Sequence, residues 1–282
     1  MPNDYLKIYF FIIIVLSLLV FFYYQNNNLE VSKLNYKNDK IPKAFDNFKI
    51  IHISDLHNKR FGSKQFRIIK KIKTENPDVI FITGDLVDRR RFNLNKALEF
   101  IDSTIEIAPI YYIAGNHEAW SFQYPNIKKE LLKRKVTVLD NDIVNIEKDK
   151  SQISVAGIKD AAFDTEKNAK EVNLKRFKKD LKNFKLKSNF NILLSHRPEI
   201  FDLYAKSKFD LIFCGHAHGG QFRLPIIGGL FSPNQGILPK YTSGRYDDKN
   251  TTMIVSRGLG NSLMPIRLFN KPEIVSVTLK KN

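Results

Sequence analysis

Short apolar runs recur along this chain, and most end abruptly in a polar motif. Residues 49–54, 78–83 and 110–114 are rich in Ile, Val, Phe and Tyr and read as buried strands. Between them, 65–75 carries Phe66, Ile69 and Ile72 at helical spacing and stops near Pro77, and 94–107 reads as a second helix. Strand, motif and helix in that order make a βαβ series with a parallel sheet. The pattern predicts a further helix over 126–135, short strands at 136–139, 143–147 and 153–157, and a basic amphipathic helix over 172–184. Strands follow at 190–194 and 209–213, and 221–224, 252–256 and 274–279 read as strands of a second sheet. The Gly- and Pro-rich stretch 225–248 is long for a structureless loop, and loops of that length usually serve function, as a substrate lid does.

The N-terminal pattern differs. Residues 8–24 are apolar or aromatic with Ser17 as the one polar break, and with 5–7 they reach the ~20 residues that span a bilayer. Tyr5, Tyr9, Phe22, Tyr23 and Tyr24 suit interfacial belts. No small-x-small cleavage site follows, so residues 1–25 read as an uncleaved anchor rather than a removed signal peptide. Residues 26–48, rich in Asn and Lys, read as a tether with a leading edge strand, ahead of one domain over 49–282.

With 282 residues, 43 % of them hydrophobic, the chain has ample material for a core. Its formal net charge is +17, but the lysines are spread along it, with no dense basic tract, zinc finger or RNA-binding signature. The charge therefore reads as a basic surface suited to a membrane face, a polyanionic envelope polymer or phosphorylated substrates, and predicts no specific nucleic acid. The single cysteine, Cys214, excludes an intrachain disulfide framework and reads as a small buried hydrophobe.

The chemistry lies in what ends the strands. Asp55-Leu56-His57 follows the first, Gly84-Asp85-Leu86-Val87-Asp88 the second and Gly115-Asn116-His117-Glu118 the third. Ser195-His196-Arg197 and Gly215-His216-Ala217-His218 end the strands at 190–194 and 209–213. In parallel sheets, ligands sit beyond the carboxyl ends of the strands. Carboxylate, amide and imidazole donors without thiolate favour Mn²⁺, Fe, Zn²⁺ or Mg²⁺. Two carboxylates, one Asn and four His exceed what one ion coordinates, which points to two divalent ions bridged by a carboxylate. Such a pair generates hydroxide from bound water near neutral pH and neutralises charge on phosphoryl oxygens. Arg197, beside His196, reads as a phosphate contact through its planar cation, and Arg257 as a second. His52, inside the first strand, reads as a core histidine, and Trp120 as a packing residue. Asp160 fits either a substrate contact or a turn.

These motifs, in this order over 49–279, resemble the calcineurin-like metallophosphoesterase superfamily. The tail, from His218-Gly219-Gly220-Gln221 through Ser256-Arg257-Gly258-Leu259-Gly260 and Pro265-Ile266-Arg267 to Pro272-Glu273, is similar to that of the membrane-associated bacterial YkuE/YaeI-like phosphodiesterase branch. The resemblance implies an α/β fold, the metallophosphatase four-layer α/β/β/α sandwich with two mixed sheets, preceded here by one transmembrane helix. It implies one metal held by Asp55, His57, Asp85 and His218, and a second by Asp85, Asn116, His196 and His216, with Asp85 as the bridge. His117 would be the general acid or leaving-group stabiliser, oriented by Asp88. The implied activity is metal-dependent hydrolysis of phosphodiester or pyrophosphate bonds, with Mn²⁺ the leading metal. Lipid-linked or cell-envelope substrates such as UDP-2,3-diacylglucosamine belong to that branch. Protein phosphatase activity fits poorly, because Arg90 stands where those enzymes carry glycine after Asp88-Arg89.

Two other classes are less well supported. A catalytically silent polyanion-binding envelope module would have lost ligand positions, and none is lost. A nuclease would want an extended basic groove with stacking aromatics, which the sequence does not display. Lys7 and the amino terminus face Lys33, Lys37 and Lys40 across the apolar run, so the charge count does not favour an external domain. Long domains translocate largely regardless of charge, and the resemblance favours a single-pass cell-membrane protein with an extracytoplasmic domain.

Overall fold

Alternation within the strands divides their apolar side chains between two faces. Ile51, Ile53, Ile80 and Ile82 join one buried cluster, while Ile50, Val79 and Phe81 join another. A sheet that is apolar on both faces must be covered on both. The computed structural model describes residues 2–163, 174–261 and 264–282 and shows how that is done.

The first sheet has six strands in the order Glu30–Lys37, Glu273–Lys280, Lys49–Ile53, Val79–Thr83, Ile110–Ile113 and Thr137–Val138. Its pairings are parallel except that between Glu273–Lys280 and Lys49–Ile53. The second sheet runs Gly244–Asp248, Thr251–Val255, Leu211–Cys214, Asn191–Leu194, Ser151–Gly157 and Asp142–Lys148, parallel at its centre and antiparallel at both edges. Helices Phe66–Glu75, Leu94–Thr104 and Tyr124–Lys133 cover the outer face of the first sheet through Ile68, Ile72, Phe100, Ile101, Ile127 and Leu131. Phe177, Leu181, Phe201 and Tyr204, on helices Leu174–Asn183 and Phe201–Tyr204, cover the outer face of the second. Between the sheets, Ile50, Phe81, Ile192, Leu194, Phe213 and Val277 form the middle core, with Phe81 and Phe213 edge-to-face at 5.3 Å. Three apolar layers thus separate four structural layers, α/β/β/α.

Two expectations need correction. Residues 274–279 belong to the first sheet, not the second, where their strand lies between the edge strand Glu30–Lys37 and Lys49–Ile53. Of 221–224, only Arg223–Leu224 is extended, and it pairs with Gly228–Gly229 in a small hairpin outside both sheets. The 225–248 stretch is itself ordered, with a second hairpin of Phe231–Ser232 and Gly236–Ile237 and then the edge strand Gly244–Asp248. Of the helix expected over 172–184, residues 172–173 lie outside the described residues.

The N-terminal helix Pro2–Asn27 stands apart from these layers, and its Asp4–Asn27 part is long and apolar enough to cross a membrane. Its last carbonyls are capped by cations: Lys59 Nζ donates to the Asn26 carbonyl and Arg67 to that of Asn27 at 2.7 Å. The Asn26 side-chain oxygen accepts from Asn261 Nδ2 at 2.9 Å and from the Arg267 N–H at 3.1 Å. After two intervening residues the edge strand Glu30–Lys37 begins. The stretch 26–48 therefore buries Leu29, Tyr36, Ile41 and Phe45 rather than running free.

His52 is a core residue, with Nε2 2.8 Å from Thr83 Oγ1 and its ring edge-on to Phe213. Burial pushes its pKa down to about 3. The unfolded chain then takes up this proton first, so stability contributed by neutral His52 is full above about pH 6.5 and falls as pH drops toward 3. Unfolding free energies from urea titrations between pH 7 and 5 are expected to fall less steeply in His52→Gln, by up to about 1.4 kcal/mol per pH unit. Identical slopes would contradict this account.

Candidate metal centre

The motifs that carry the candidate ligands leave their strands through backbone that ordinary residues seldom adopt. Asp55, His57, Asp85, His216 and His218 all have φ between 48° and 65°. Left-handed conformations at non-glycine residues cost of order 1–3 kcal/mol and persist where the surroundings over-determine them, commonly at functional sites. Close packing demands glycine beside them. A Cβ at Gly215 would overlap Ser54 Oγ and Asp55 Oδ2, and one at Gly115 would overlap Asp85 Oδ1.

Two groups of donor atoms result, each with its atoms within 4.8 Å of one another, and Asp85 belongs to both. The first is Asp55, His57, Asp85 and His218. His57 Nε2 lies 3.2 Å from His218 Nε2 and 3.6 Å from Asp85 Oδ2, and His218 Nε2 is 3.4 Å from Asp55 Oδ1. The second is Asp85, His196 and His216. Asn116 Oδ1 joins it, 3.0 Å from His196 Nε2. Donors about 2.0–2.2 Å from a common divalent ion stand roughly 3–3.5 Å apart, so these spacings suit shared cations.

Proton placement supports the same fit. His196 Nδ1 donates to the Thr83 carbonyl at 2.7 Å, leaving a lone pair on Nε2. His216 Nε2 donates to Asn234 Oδ1 at 3.0 Å, leaving a lone pair on Nδ1. Those two lone-pair nitrogens face each other at 3.1 Å, an arrangement a cation between them would satisfy. Burial opposes charge on His196, yet Asp85 and Asp55 pull its pKa up to about 10, a sign that the carboxylate field seeks positive charge there. Burial holds His57, His216 and His218 well below the ordinary histidine range, neutral and able to ligate.

His117 lies against His57 with ring centroids 4.5 Å apart, and its Nε2 is 4.0 Å from Asp85 Oδ2. The Arg89 backbone N–H donates to His117 Nδ1 at 3.1 Å, so the neutral ring carries its proton on Nε2, the nitrogen nearer the cluster. Asp88 joins a third donor group with His57 and His117. Its own hydrogen bonds go to the Arg90 and Arg91 N–H groups and the Arg91 guanidinium.

Sequence reasoning passed over Glu118. It is fully buried, and its carboxylate accepts from the N–H groups of Asp85, Val87 and Gly115 at 2.7–3.1 Å, fastening the second and third motifs together. Burial and Asp85 push its pKa up to about 7 against those three donors. Its signal was the Glu three positions after Gly115, a helix-start pattern, at the head of the short helix Asn116–Trp120.

The two arginines expected to contact phosphate are both paired with carboxylates. Arg197 is a buried cation, paired with Asp160 at 2.8 and 3.0 Å and with Glu199 at 3.3 Å, and also bonded to Asn234. Arg257 pairs with Glu30 and Glu273, each at 3.0 Å. Arg89 also lies at the site: its guanidinium stacks on Trp120 at 4.5 Å, beside His117, and its buried Nε has no hydrogen-bond partner among the described residues. A pocket of about 210 Å³ opens beside the cluster, lined by His57, Asn58, Lys59, Arg91, Lys96 and Asn261.

Known proteins resemble this chain in sequence and fold. Residues 48–220 match the calcineurin-like phosphoesterase family. The chain is 30 % identical over 260 residues to the metallophosphoesterase YkuE of Bacillus subtilis, covering 89 % of this chain and 86 % of that protein. It is 29 % identical over 240 residues to the phosphodiesterase YaeI of Escherichia coli, covering 82 % of each. Among solved structures, the sulfate thiohydrolase SoxB of Thermus thermophilus superposes with a TM-score of 0.51 at 12 % identity, a likeness of fold alone. That match covers 86 % of this chain and 58 % of the SoxB chain.

Proposed function

The chain belongs to the calcineurin-like phosphoesterase family of metal-dependent phosphoric ester hydrolases, and from that premise we propose a membrane-anchored, dinuclear-metal phosphodiesterase. Its substrates would be phosphodiesters or pyrophosphates, including lipid-linked or cell-envelope molecules. The observation that carries the reading is the pair of donor groups sharing Asp85. Asp55, His57, Asp85 and His218 would hold one ion, and Asp85, Asn116, His196 and His216 the other. When bound, two divalent ions, Mn²⁺ foremost, activate water and neutralise phosphoryl charge.

The protein's own groups would do the rest. His117 would present its Nε2 proton to the departing oxygen, with the Arg89 N–H holding the ring in that tautomer. Asp88 would steady this corner by fixing the Arg90 and Arg91 backbone. Arg89, rather than Arg197 or Arg257, would supply the planar cation for phosphate. The pocket beside His57 favours diesters, because it offers the second substituent a place that a monoester does not need. A nucleotide lipid such as UDP-2,3-diacylglucosamine combines these features, and its hydrolysis would release UMP. The helix would be a single-pass anchor with the domain extracytoplasmic, and the domain would begin at the edge strand Glu30–Lys37.

The test uses the full-length chain in detergent, stripped of metal and reloaded with Mn²⁺. Metal-dependent hydrolysis of bis-p-nitrophenyl phosphate is expected to exceed that of p-nitrophenyl phosphate. A monoester preference, or turnover indifferent to metal, would overturn the reading. In His117→Asn, kcat for the diester is expected to fall roughly 10²–10³-fold with metal content unchanged. A fall below tenfold would remove His117 from proton transfer.

A further inference from the structure

Among the described residues outside the N-terminal helix, seven of the eleven exposed large hydrophobics lie between Ile226 and Phe269. Ile226 and Ile227 form the tip of the hairpin that pairs Arg223–Leu224 with Gly228–Gly229. Ile237 pairs with Phe231 at the open end of the next hairpin, Leu238 follows it, and Phe269 precedes the last strand. Contiguous apolar exposure of this kind marks an interaction surface.

The surface is continuous with the end of the N-terminal helix. Phe269 meets Phe21 of that helix edge-to-face at 5.8 Å. Its neighbour Leu268 bridges to Phe222, and the Leu268 carbonyl accepts from the Arg223 N–H at 2.9 Å, at the base of the first hairpin. The Leu238 N–H donates to the Leu230 carbonyl at 2.9 Å, tying the second hairpin to the first. Cations border the seam. Lys59 and Arg67 cap the helix end, and Lys271 sits 5.1 Å above the Tyr24 ring. Exposed apolar side chains with a basic border suit an anionic bilayer surface, where acyl chains take the apolar groups and headgroups take the cations.

We propose that this face rests on the bilayer crossed by the helix, with Ile226, Ile227, Ile237, Leu238 and Phe269 entering the headgroup and upper acyl region. The proposal rests on the anchor reading and deepens it, because the face adjoins the metal site. Asn234, within the second hairpin, is bonded to His216. Asn261, which holds the helix end through Asn26, also lines the pocket beside His57. Substrate would then enter from the membrane surface, as a phosphodiester or pyrophosphate carried on a lipid.

The experiment uses full-length protein with a fluorophore on cysteine at Val15→Cys, Ile226→Cys, Ile237→Cys or Leu132→Cys, one position at a time. Cys214 is buried and stays unlabelled. Each protein is reconstituted in 3:1 phosphatidylethanolamine–phosphatidylglycerol vesicles with or without nitroxide-labelled lipids, and soluble-diester turnover serves as the folding check. Quenching is expected at 226 and 237, shallower than at 15, with little at 132. Quenching at 226 and 237 no greater than at 132 would overturn the proposal. The label at 15 reports separately on the anchor: quenched, the anchor stands without this contact; unquenched, both readings fall.

Discussion

Asp85→Asn is expected to lower Mn²⁺-dependent diester hydrolysis by about a thousandfold or more, roughly 4 kcal/mol of transition-state stabilisation. Asp85 Oδ2 lies 3.6 Å from His57 Nε2 and 3.4 Å from His196 Nε2, so one carboxylate serves both donor groups. The substitution is a clean probe, because the amide oxygen can keep the 2.8 Å hydrogen bond that Asp85 Oδ1 accepts from the His117 N–H. What changes is charge. Metal content by mass spectrometry is expected to fall alongside kcat. A variant that kept two ions and a rate within tenfold of the parent would remove Asp85 as the bridge.

The second large effect is on stability. Arg197 and Asp160 form a buried bidentate pair at 2.8 and 3.0 Å, with Glu199 and Asn234 around the guanidinium. Removing Asp160 takes the bidentate partner from this buried charge and leaves Glu199 at 3.3 Å as its remaining carboxylate, at a cost of about 3–5 kcal/mol. Asp160→Ala is therefore expected to lower Tm by roughly 6–20 °C, taking about 2–4 °C per kcal/mol for a domain of this size. Thermal unfolding of the metal-free protein measures it. If Arg197 instead served substrate, Arg197→Met would raise KM and leave Tm unmoved, which would contradict the structural role.

The carboxylate partners of Arg197 could not be read from its place in the sequence. It adjoins His196, but the backbone at Arg197 is extended, with φ −98° and ψ 115°. Successive side chains on extended backbone point to opposite sides. His196 therefore reaches Asn116 and Asp85 while Arg197 reaches Asp160, a residue equally open to site and turn readings in the sequence. The ligand motifs were legible for the converse reason. Each follows a strand whose apolar run is visible, and parallel strands bring their carboxyl ends to one edge.

Other features lay beyond a one-dimensional pattern. Alternation identifies 274–279 as a strand but cannot say which neighbours it takes, and it joined the first sheet between two segments far earlier in the chain. The helix Asn116–Trp120 is too short for a period to show, so the clamp made by Glu118 went unseen. Arg89 owes its place to stacking on Trp120, a contact across 31 positions that spacing does not encode.

The most direct test of a two-ion site is to titrate metal-free protein with Mn²⁺ while following initial diester hydrolysis. The rate is predicted to rise until two equivalents per chain are bound and then level off. Saturation at one equivalent, or a rate already full before metal is added, would contradict a centre built on a shared Asp85.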